Sequence, residues 1–248
     1  MTHPGIQLTK QSGFSLIELA IVLFIVALLL GGLLPTVSGQ IEQQRRAETR
    51  KQLDEIQQAL LGYAISKGYL PCPAKSDSDG TEDRTAGICT DNKRIGFLPW
   101  TELGVKKSDS WNRLFTYSAP LAFTSSTAPF SLTTARDITL RTRNAAGTLV
   151  NLSNANDIPA VVVSHGPNGI FGTSENGVLV TSAAPTSNNV DDQKTNAPTP
   201  AGTGTGIAFV SRDPAGPASS TDEAFDDIVL TLSPNILFNR MVTAGKLP

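Results

Sequence analysis

The chain has 248 residues, of which 40% are hydrophobic, and its formal net charge at pH 7 is −2. This length is sufficient for one anchor helix and one globular domain but not for two large domains. The near-neutral balance argues against a dedicated nucleic-acid-binding protein, because phosphate recognition usually requires a clustered basic excess. We therefore predict no specific nucleic-acid partner.

An apolar run begins directly after Gly13 and continues to Leu34, and Glu18 is the only charged residue in it. The run matches the roughly 20 residues with which a helix crosses a bilayer, so we predict a transmembrane helix over residues 14–35. A charge within such a span costs about 2.5–3.5 kcal/mol on insertion scales. Glu18 therefore requires a function.

The segment from Gly13 to Glu18 (GFSLIE), followed by Pro35, resembles the N-terminus of the type IV pilin and pseudopilin superfamily. The resemblance implies that residues 1–13 are a leader peptide, that a prepilin peptidase cuts between Gly13 and Phe14, and that Phe14 is then N-methylated. It also implies that Glu18 of an incoming subunit meets the α-amine of a neighbour during assembly. Pairing opposite charges in an apolar medium lowers the cost of both, so we interpret Glu18 as an assembly residue and not as a catalytic acid.

A generic signal anchor and a secretory signal peptide are the alternatives. A signal peptide has a shorter apolar region, about 7–15 residues, with a small-residue cleavage site after it, and neither feature is present. Charge alone favours an orientation opposite to that of a pilin, because Lys10 precedes the span while a basic cluster, Arg45, Arg46, Arg50 and Lys51, follows it. The domain-outside orientation therefore depends on the resemblance.

Residues 36–67 predict an extended amphipathic helix that ends at Gly68. Its apolar stripe, which we expect to pack on the globular domain, consists of Leu53, Ile56, Leu60 and Tyr63. Pro35 is expected to bend the helix or to melt it locally. The basic residues near its start could contact lipid headgroups or DNA, but acidic residues interleave with them, which favours a solvated or subunit-facing surface.

The two cysteines, Cys72 and Cys89, flank a polar stretch. In an oxidising periplasm they predict one disulfide that closes a local loop and contributes about 3 kcal/mol. Two free thiols or half of a metal site are the alternatives. The sequence has no second cysteine pair or histidine cluster to complete zinc coordination.

Residues 68–248 predict a β-rich domain with a long exposed loop near 182–206. The predicted strands are Ile138–Arg143, Ala160–Ser164, Val178–Thr181, Ile207–Arg212 and Ile228–Leu232. A short helix begins after Ser233, a favourable N-cap, at Pro234. The fold class predicted is α+β, with a long N-terminal helix on an antiparallel sheet, which also matches the pilin shape.

The segment from Asp109 to Tyr117 resembles the D-x-W-G-x-x-x-x-Y segment of major pseudopilins. Asn112 replaces the usual glycine, so we expect the turn to differ. Residues 164–169 and 226–228 resemble later segments of the same family. These matches are short, and the N-terminal segment carries most of the resemblance.

Calcium is a weak candidate ligand at two places. The first is an acidic loop containing Asp77 and Asp79, but Lys75 occupies what would be the first ligand position, which favours a solvated loop. The second follows from the resemblance, because some major pseudopilins bind calcium in a loop before a D-x-D-I-like element. The residues at that place are Asp222, Asp226 and Asp227, with backbone carbonyls near Asn168.

No catalytic site is predicted. His165 is the only histidine after the proposed cleavage point, and the sequence contains no G-x-S-x-G elbow, phosphate-binding loop or H-E-x-x-H motif. We interpret His165 as part of a turn after the strand Ala160–Ser164. A membrane-tethered periplasmic enzyme is therefore the most distant of the function classes.

The resemblance implies a structural subunit of a type IV pilus-like filament, a minor pilin, with a pseudopilin of a type II secretion system as the alternative. The tryptophan segment favours the pseudopilin, whereas the size of the domain and its long loop favour the minor pilin. Expected partners are other pilin-like subunits in a homo- or hetero-filament, the prepilin peptidase, an inner-membrane assembly platform and membrane lipid. The expected location is the bacterial inner membrane, crossed once, with the domain in the periplasm and later in a filament.

Overall fold

The computed structural model describes residues 15–182, 186–198 and 206–247, except for the side chains of 29–38. Contacts divide the chain into two compact units, Met1–Gln44 and Arg45–Pro248. The helices are α1 (Leu16–Lys67), α2 (Trp100–Leu103), α3 (Leu121–Thr124), α4 (Asn188–Asn196) and α5 (Pro234–Thr243), with a 3₁₀ turn at Thr90–Asn92. The strands are β1 (Arg84–Thr85), β2 (Ile88–Cys89), β3 (Ile95–Phe97), β4 (Thr116–Ser118), β5 (Thr139–Arg143), β6 (Leu149–Asn151), β7 (Ala160–Ser164), β8 (Ala208–Val210) and β9 (Ile228–Leu232). The α+β class is confirmed.

Helix α1 is uninterrupted at Pro35, so the local melting predicted there is not observed, while the bend stays a prediction. In the second unit, Leu53, Ile56 and Leu60 are buried, as their spacing predicts. Gly68 follows the helix with φ at +87°, and its N–H donates to the carbonyl of Ala64 at 2.8 Å. A left-handed glycine in this position is a common way to end a helix.

Strands β3, β4, β7 and β9 form an antiparallel sheet in the order β3-β4-β7-β9. Successive side chains of β7 point to opposite faces. Val162 packs in a core with residues of α1 and α5, whereas Val161 and Val163 pack in a second core with Ile138 and Phe209. The central strand is thus buried on both sides, which explains its uninterrupted run of valines.

The second sheet has the order β6-β5-β8, and β5 and β8 run parallel. The predicted antiparallel sheet is the β3-β4-β7-β9 sheet, and the parallel β5–β8 pair is an addition that the sequence did not predict. A parallel pair requires a long connection between its strands, and here β6, β7 and α4 lie between β5 and β8 in the chain.

Two predictions of local structure require correction. Residues 178–181 form no strand and contribute only a single bridge, between Thr173 and Leu179. The predicted loop near 182–206 contains helix α4, whose first turn is capped by Ser187: its hydroxyl accepts from the N–H of Val190 at 3.1 Å. The polar composition of this segment did not predict a helix, because the inner face of α4 is buried by ion pairs with distant residues and not by apolar contacts.

Candidate functional site

The predicted cleavage residues, Gly13 and Phe14, lie outside the described residues. Directly after them, Ser15 and Glu18 close a reciprocal cap at the start of α1. The N–H of Ser15 donates to Oε2 of Glu18 at 2.9 Å, and the Oγ of Ser15 accepts from the N–H of Ile17 at 3.3 Å. The S-x-x-E pattern before an apolar run is the sequence signal for this capping box, and our sequence reasoning missed it.

Glu18 therefore has a structural task besides the predicted assembly role. Within the described residues, only its Oε2 atom accepts a hydrogen bond, and Oε1 has no protein donor. The capped helix end therefore holds the carboxylate at its first turn and leaves one oxygen available to a further cation.

The first turns of α1 are apolar on all sides, and the large side chains between residues 16 and 28 are 42–89% exposed. A helix that is apolar all round requires an apolar surrounding. Among the described residues, no helix meets the length and hydropathy that a membrane span requires.

Cys72 and Cys89 form a disulfide, with an S–S distance of 2.04 Å. Glu82 lies inside the closed loop and organises it: its carboxylate accepts from the N–H of Cys72 at 3.0 Å and from Arg84 Nε at 2.9 Å. The hydroxyl of Tyr63 in α1 also donates to Glu82 at 3.2 Å. The loop is thus fastened to α1 by an interaction independent of the disulfide.

The tryptophan segment forms a tight turn built on the buried Asp109. Its Oδ1 accepts from the N–H groups of Trp111 at 2.9 Å and Arg113 at 3.0 Å, and its Oδ2 accepts from the hydroxyl of Ser164 at 2.6 Å. Burial raises the pKa of Asp109, while these hydrogen bonds act in the opposite direction. Asp109 thereby connects the turn to the end of the central strand β7.

Asn112 adopts a left-handed conformation with φ at +59°. Asparagine is one of the few non-glycine residues that tolerate this region. The turn thus keeps a conformation that favours glycine, although we expected the substitution to alter it. The N–H of the preceding Ser110 donates to Oγ1 of Thr49 at 3.3 Å, which fastens the turn to α1.

His165 is fully buried behind this turn, and its Nε2 lies 2.8 Å from Oγ1 of Thr116. Its Nδ1 lies 3.8 Å from Oδ1 of Asp227, beyond hydrogen-bonding distance. Burial, together with the charge of Arg113, lowers the pKa of His165 to about 4, so the ring is neutral at pH 7. The order hydroxyl, imidazole, carboxylate resembles a hydrolase triad, but no side chain of the three reaches solvent, so a substrate has no access to them.

The calcium candidates do not converge. No three His, Cys, Asp or Glu side chains are placed to hold a metal ion within the described ranges. Asp79 accepts from the N–H and the hydroxyl of Thr81, at 3.0 and 2.6 Å. The carboxylate of Asp77 lies against Gly177 in another loop, where a Cβ on the glycine would fall 1.9 Å from Oδ2.

The three later aspartates have separate structural partners. Asp222 accepts from the hydroxyl of Ser187 and from three N–H donors, and the Ser187 hydrogen bond is the main reason why the pKa of Asp222 is lowered. Asp226 accepts from the N–H of Asn168 at 2.9 Å. At Asn168 the group facing Asp226 is thus an N–H donor, whereas the calcium hypothesis required backbone carbonyls there. Burial raises the pKa of Asp227, whose Oδ2 accepts from Asn196 Nδ2 at 2.9 Å.

A cleft of about 580 Å³ lies between the β5–β6 turn, the start of α4 and residues 212–222. Two of its lining residues, Arg143 and Arg212, converge on the fully buried Asp192 of α4, with Nε–Oδ2 distances of 2.8 Å each. Arg212 also lies 4.1 Å from the ring centre of Phe225. Sequence reasoning missed this cluster, because its members are far apart in the chain and no short motif joins them.

Comparison with known families identifies one segment. Residues 8–34 match the family model described as the prokaryotic N-terminal methylation motif, the prepilin-type cleavage and methylation segment of type IV pilins and pseudopilins. No curated protein and no solved structure matches the chain. The match includes Gly13, Phe14 and Glu18 and leaves the β-rich domain unassigned.

Proposed function

We propose that this protein is a structural subunit of a type IV pilus-like filament, a minor pilin that is assembled after its leader is removed. The observation that carries the proposal is the methylation-motif match over residues 8–34. A leader cut between Gly13 and Phe14 would leave a charged α-amine one residue before the capped helix start at Ser15.

Two features of the described residues support an assembly role for Glu18. Its carboxylate is held at the first turn of α1 by the cap on Ser15, which reduces the conformational freedom lost on pairing. Its Oε1 atom has no donor within the described part of the chain and would accept from the α-amine of a neighbouring subunit. Such a pair would offset the cost of both charges in an apolar surrounding.

The exposed apolar residues of α1 support a membrane-anchored precursor. Between residues 16 and 28 they have no cover from the residues that the structure describes, and either lipid or the helices of other subunits would supply it. We propose that the helix spans the bacterial inner membrane once before assembly, with the domain in the periplasm. The prepilin peptidase, an assembly platform and other pilin-like subunits would be its partners. A polymer role requires no catalytic centre, and the buried position of His165 agrees with a protein that is not an enzyme.

A pseudopilin of a type II secretion system is the second candidate. The left-handed φ of Asn112 favours it, because the turn keeps a glycine-like conformation at the position where major pseudopilins have glycine. Deleting the gene separates the two candidates: complemented loss of surface pili would support the pilin, and complemented loss of exported proteins with normal pili would support the pseudopilin.

Leader removal is tested by co-expressing the full chain with a prepilin peptidase and measuring its intact mass. We expect the mass of a chain that begins at Phe14 and carries one added methyl group. Replacing Gly13 by a bulky residue should preserve the unprocessed mass. An unchanged mass for the parent chain in the presence of an active peptidase would contradict the proposal.

A further inference from the structure

The cleft next to α4 has an excess of positive charge in its wall. Arg143 and Arg212 both line the cleft and share the carboxylate of Asp192, and the exposed fractions of these three side chains are only 14%, 13% and 0%. A charge that is removed from water is costly unless an opposite charge compensates it. Two guanidinium groups that share one carboxylate therefore leave one positive charge without a counter-ion.

No other carboxylate of the described residues bonds to the two arginines. Asp222 lines the cleft, but the hydroxyl of Ser187 and three N–H groups already donate to its oxygens. Asp227 interacts with the charge of Arg212, but it is fully buried, and burial raises its pKa and favours the uncharged form. Asp213 also lines the cleft but is exposed, so water and salt screen its charge.

The guanidinium group of Arg212 is held in place with one nitrogen left over. Its Nε donates to Asp192 at 2.8 Å, its Nη2 donates to Oδ1 of Asn189 at 2.6 Å, and the ring of Phe225 lies against its face at 4.1 Å. Its Nη1 has no partner in the part of the chain that the structure describes. Because three contacts already fix the group, little conformational freedom is lost when a ligand binds Nη1.

The remaining walls of the cleft are polar. Among the described residues, no aromatic or large aliphatic side chain lines it. The amide and hydroxyl side chains that do so belong to Thr142, Asn144, Ser187, Asn188 and Asn189. At about 580 Å³ the cleft is far larger than one carboxylate or phosphate group, so the body of a ligand would also contact these walls. Such walls favour a body that carries hydroxyl groups over an apolar one.

We propose that the cleft binds a small hydroxylated anion, a sugar acid or a sugar phosphate, whose oxyanion pairs with Nη1 of Arg212. Guanidinium groups form their strongest hydrogen bonds with carboxylate and phosphate oxygens. The ligand would supply the negative charge that the cleft lacks, and the amide side chains would bind its hydroxyl groups.

The cleft lies away from the part of α1 that packs on the domain. The sheet that carries it packs on the face of β7 with Val161 and Val163, whereas α1 packs on the opposite face with Val162. Ligand binding is therefore independent of the proposed filament role, and a negative result for one would leave the other unchanged.

Calorimetric titration of the purified full chain in detergent micelles tests the class of ligand. The probes are glucuronate, glucose 6-phosphate and uncharged glucose, which share a sugar ring and differ in charge. We expect at least one of the two acids to bind about tenfold or more tightly than glucose, and the tighter acid identifies the oxyanion as carboxylate or phosphate. Equal affinities for all three probes, or no binding of either acid, would overturn the proposal.

Two substitutions test the position of the site. Arg212→Gln removes the unpaired charge, and we expect the folded variant to bind the acids about tenfold or more weakly. Parent-level binding by this variant would overturn the proposal. Because the substitution also takes a partner from the buried Asp192, a second test is needed that leaves the ion pairs intact.

Ala145 provides that second test. It lines the cleft and is exposed, so Ala145→Glu adds a negative charge without removing any side-chain hydrogen bond, and Ala145→Gln is the uncharged control of the same size. We expect Ala145→Glu to weaken acid binding by about threefold at low salt and Ala145→Gln to leave it unchanged. Equal acid affinities of the two variants at low salt would place binding outside the cleft and overturn the proposal.

Discussion

Asp109 gives the sharpest test of how the tryptophan turn is held. Alanine at this position would leave three donors without their acceptor: the N–H groups of Trp111 and Arg113 and the hydroxyl of Ser164. At about 1 kcal/mol for each lost partner, we expect Asp109→Ala to lower the free energy of unfolding by about 3 kcal/mol.

Asp109→Asn is the matched control. Its amide oxygen still accepts from Trp111 and Arg113, and the Ser164 hydroxyl rotates to accept from the new NH₂ group. We expect this variant to lose about 1 kcal/mol, since only the hydrogen bond with Ser164 has to rearrange. The difference of about 2 kcal/mol between the variants measures the hydrogen bonds and not the loss of volume.

The pH dependence has a defined sign. Because burial raises the folded-state pKa of Asp109, its contribution to stability is fully present below the unfolded pKa and is lost as the pH rises through the folded value. The advantage of the parent chain over Asp109→Asn should therefore be larger in acid than at neutral pH.

Urea unfolding of the full chain in detergent, followed by tryptophan fluorescence, would measure these changes, since Trp111 lies within the turn. Hydrogen exchange at the amides of Trp111 and Arg113 would localise the effect, because both should exchange faster in the alanine variant only. Equal destabilisation by alanine and asparagine, without a change in these two amides, would refute the reasoning.

Two further perturbations have expected outcomes. Replacing Cys72 and Cys89 together by serine should lower the free energy of unfolding by about 3 kcal/mol, because the unfolded chain is less constrained. The backbone amides of the folded loop should remain protected from hydrogen exchange, since the hydrogen bonds of Glu82 still hold it. A decrease below about 1 kcal/mol in urea unfolding would contradict this. Asn112→Ala should cost about 1 kcal/mol because alanine resists the left-handed φ, whereas Asn112→Gly should be nearly neutral; equal thermal stability of both variants would show that this φ is not a constraint.

Local sequence patterns predicted the secondary structure correctly where a segment is buried by apolar side chains. The run of valines predicted β7 with its observed bounds, and Ser233 followed by Pro234 predicted the start of α5, although the Ser233 side chain makes no capping hydrogen bond. The apolar stripe of α1 is likewise buried at Leu53, Ile56 and Leu60.

Local patterns failed where polar groups are buried by partners distant in the chain. Strand β4 is buried although Thr116 and Ser118 are polar, because Thr116 contacts His165 and Ser118 donates to the carbonyl of Gly206. Helix α4 has few apolar residues, and its Asp192 is buried only because Arg143 and Arg212 converge on it from other strands and loops. Such pairings carry no periodic signal.

The residues of the candidate site likewise fall into those that a local sequence pattern predicts and those that it does not. The N-terminal motif was recognisable because its residues are consecutive, and the family match over residues 8–34 agrees with it. The partners of Asp109 were not predictable, since Ser164 lies 55 positions further along the chain. The aspartates considered for calcium are close to one another in the sequence or are grouped by the resemblance, but in the fold their carboxylates contact different residues and do not form one site.

The central claim, that Glu18 guides assembly by its charge, is tested most directly by comparing Glu18→Gln with the parent chain in sheared filaments. Glutamine keeps the helix cap, because an S-x-x-Q sequence also forms a capping box, and removes only the negative charge. We predict that Glu18→Gln reaches the membrane in parent amounts but is absent from the filament fraction, as Glu18→Ala would be. Incorporation of Glu18→Gln at the parent level would contradict the account and would leave Glu18 as a helix cap alone.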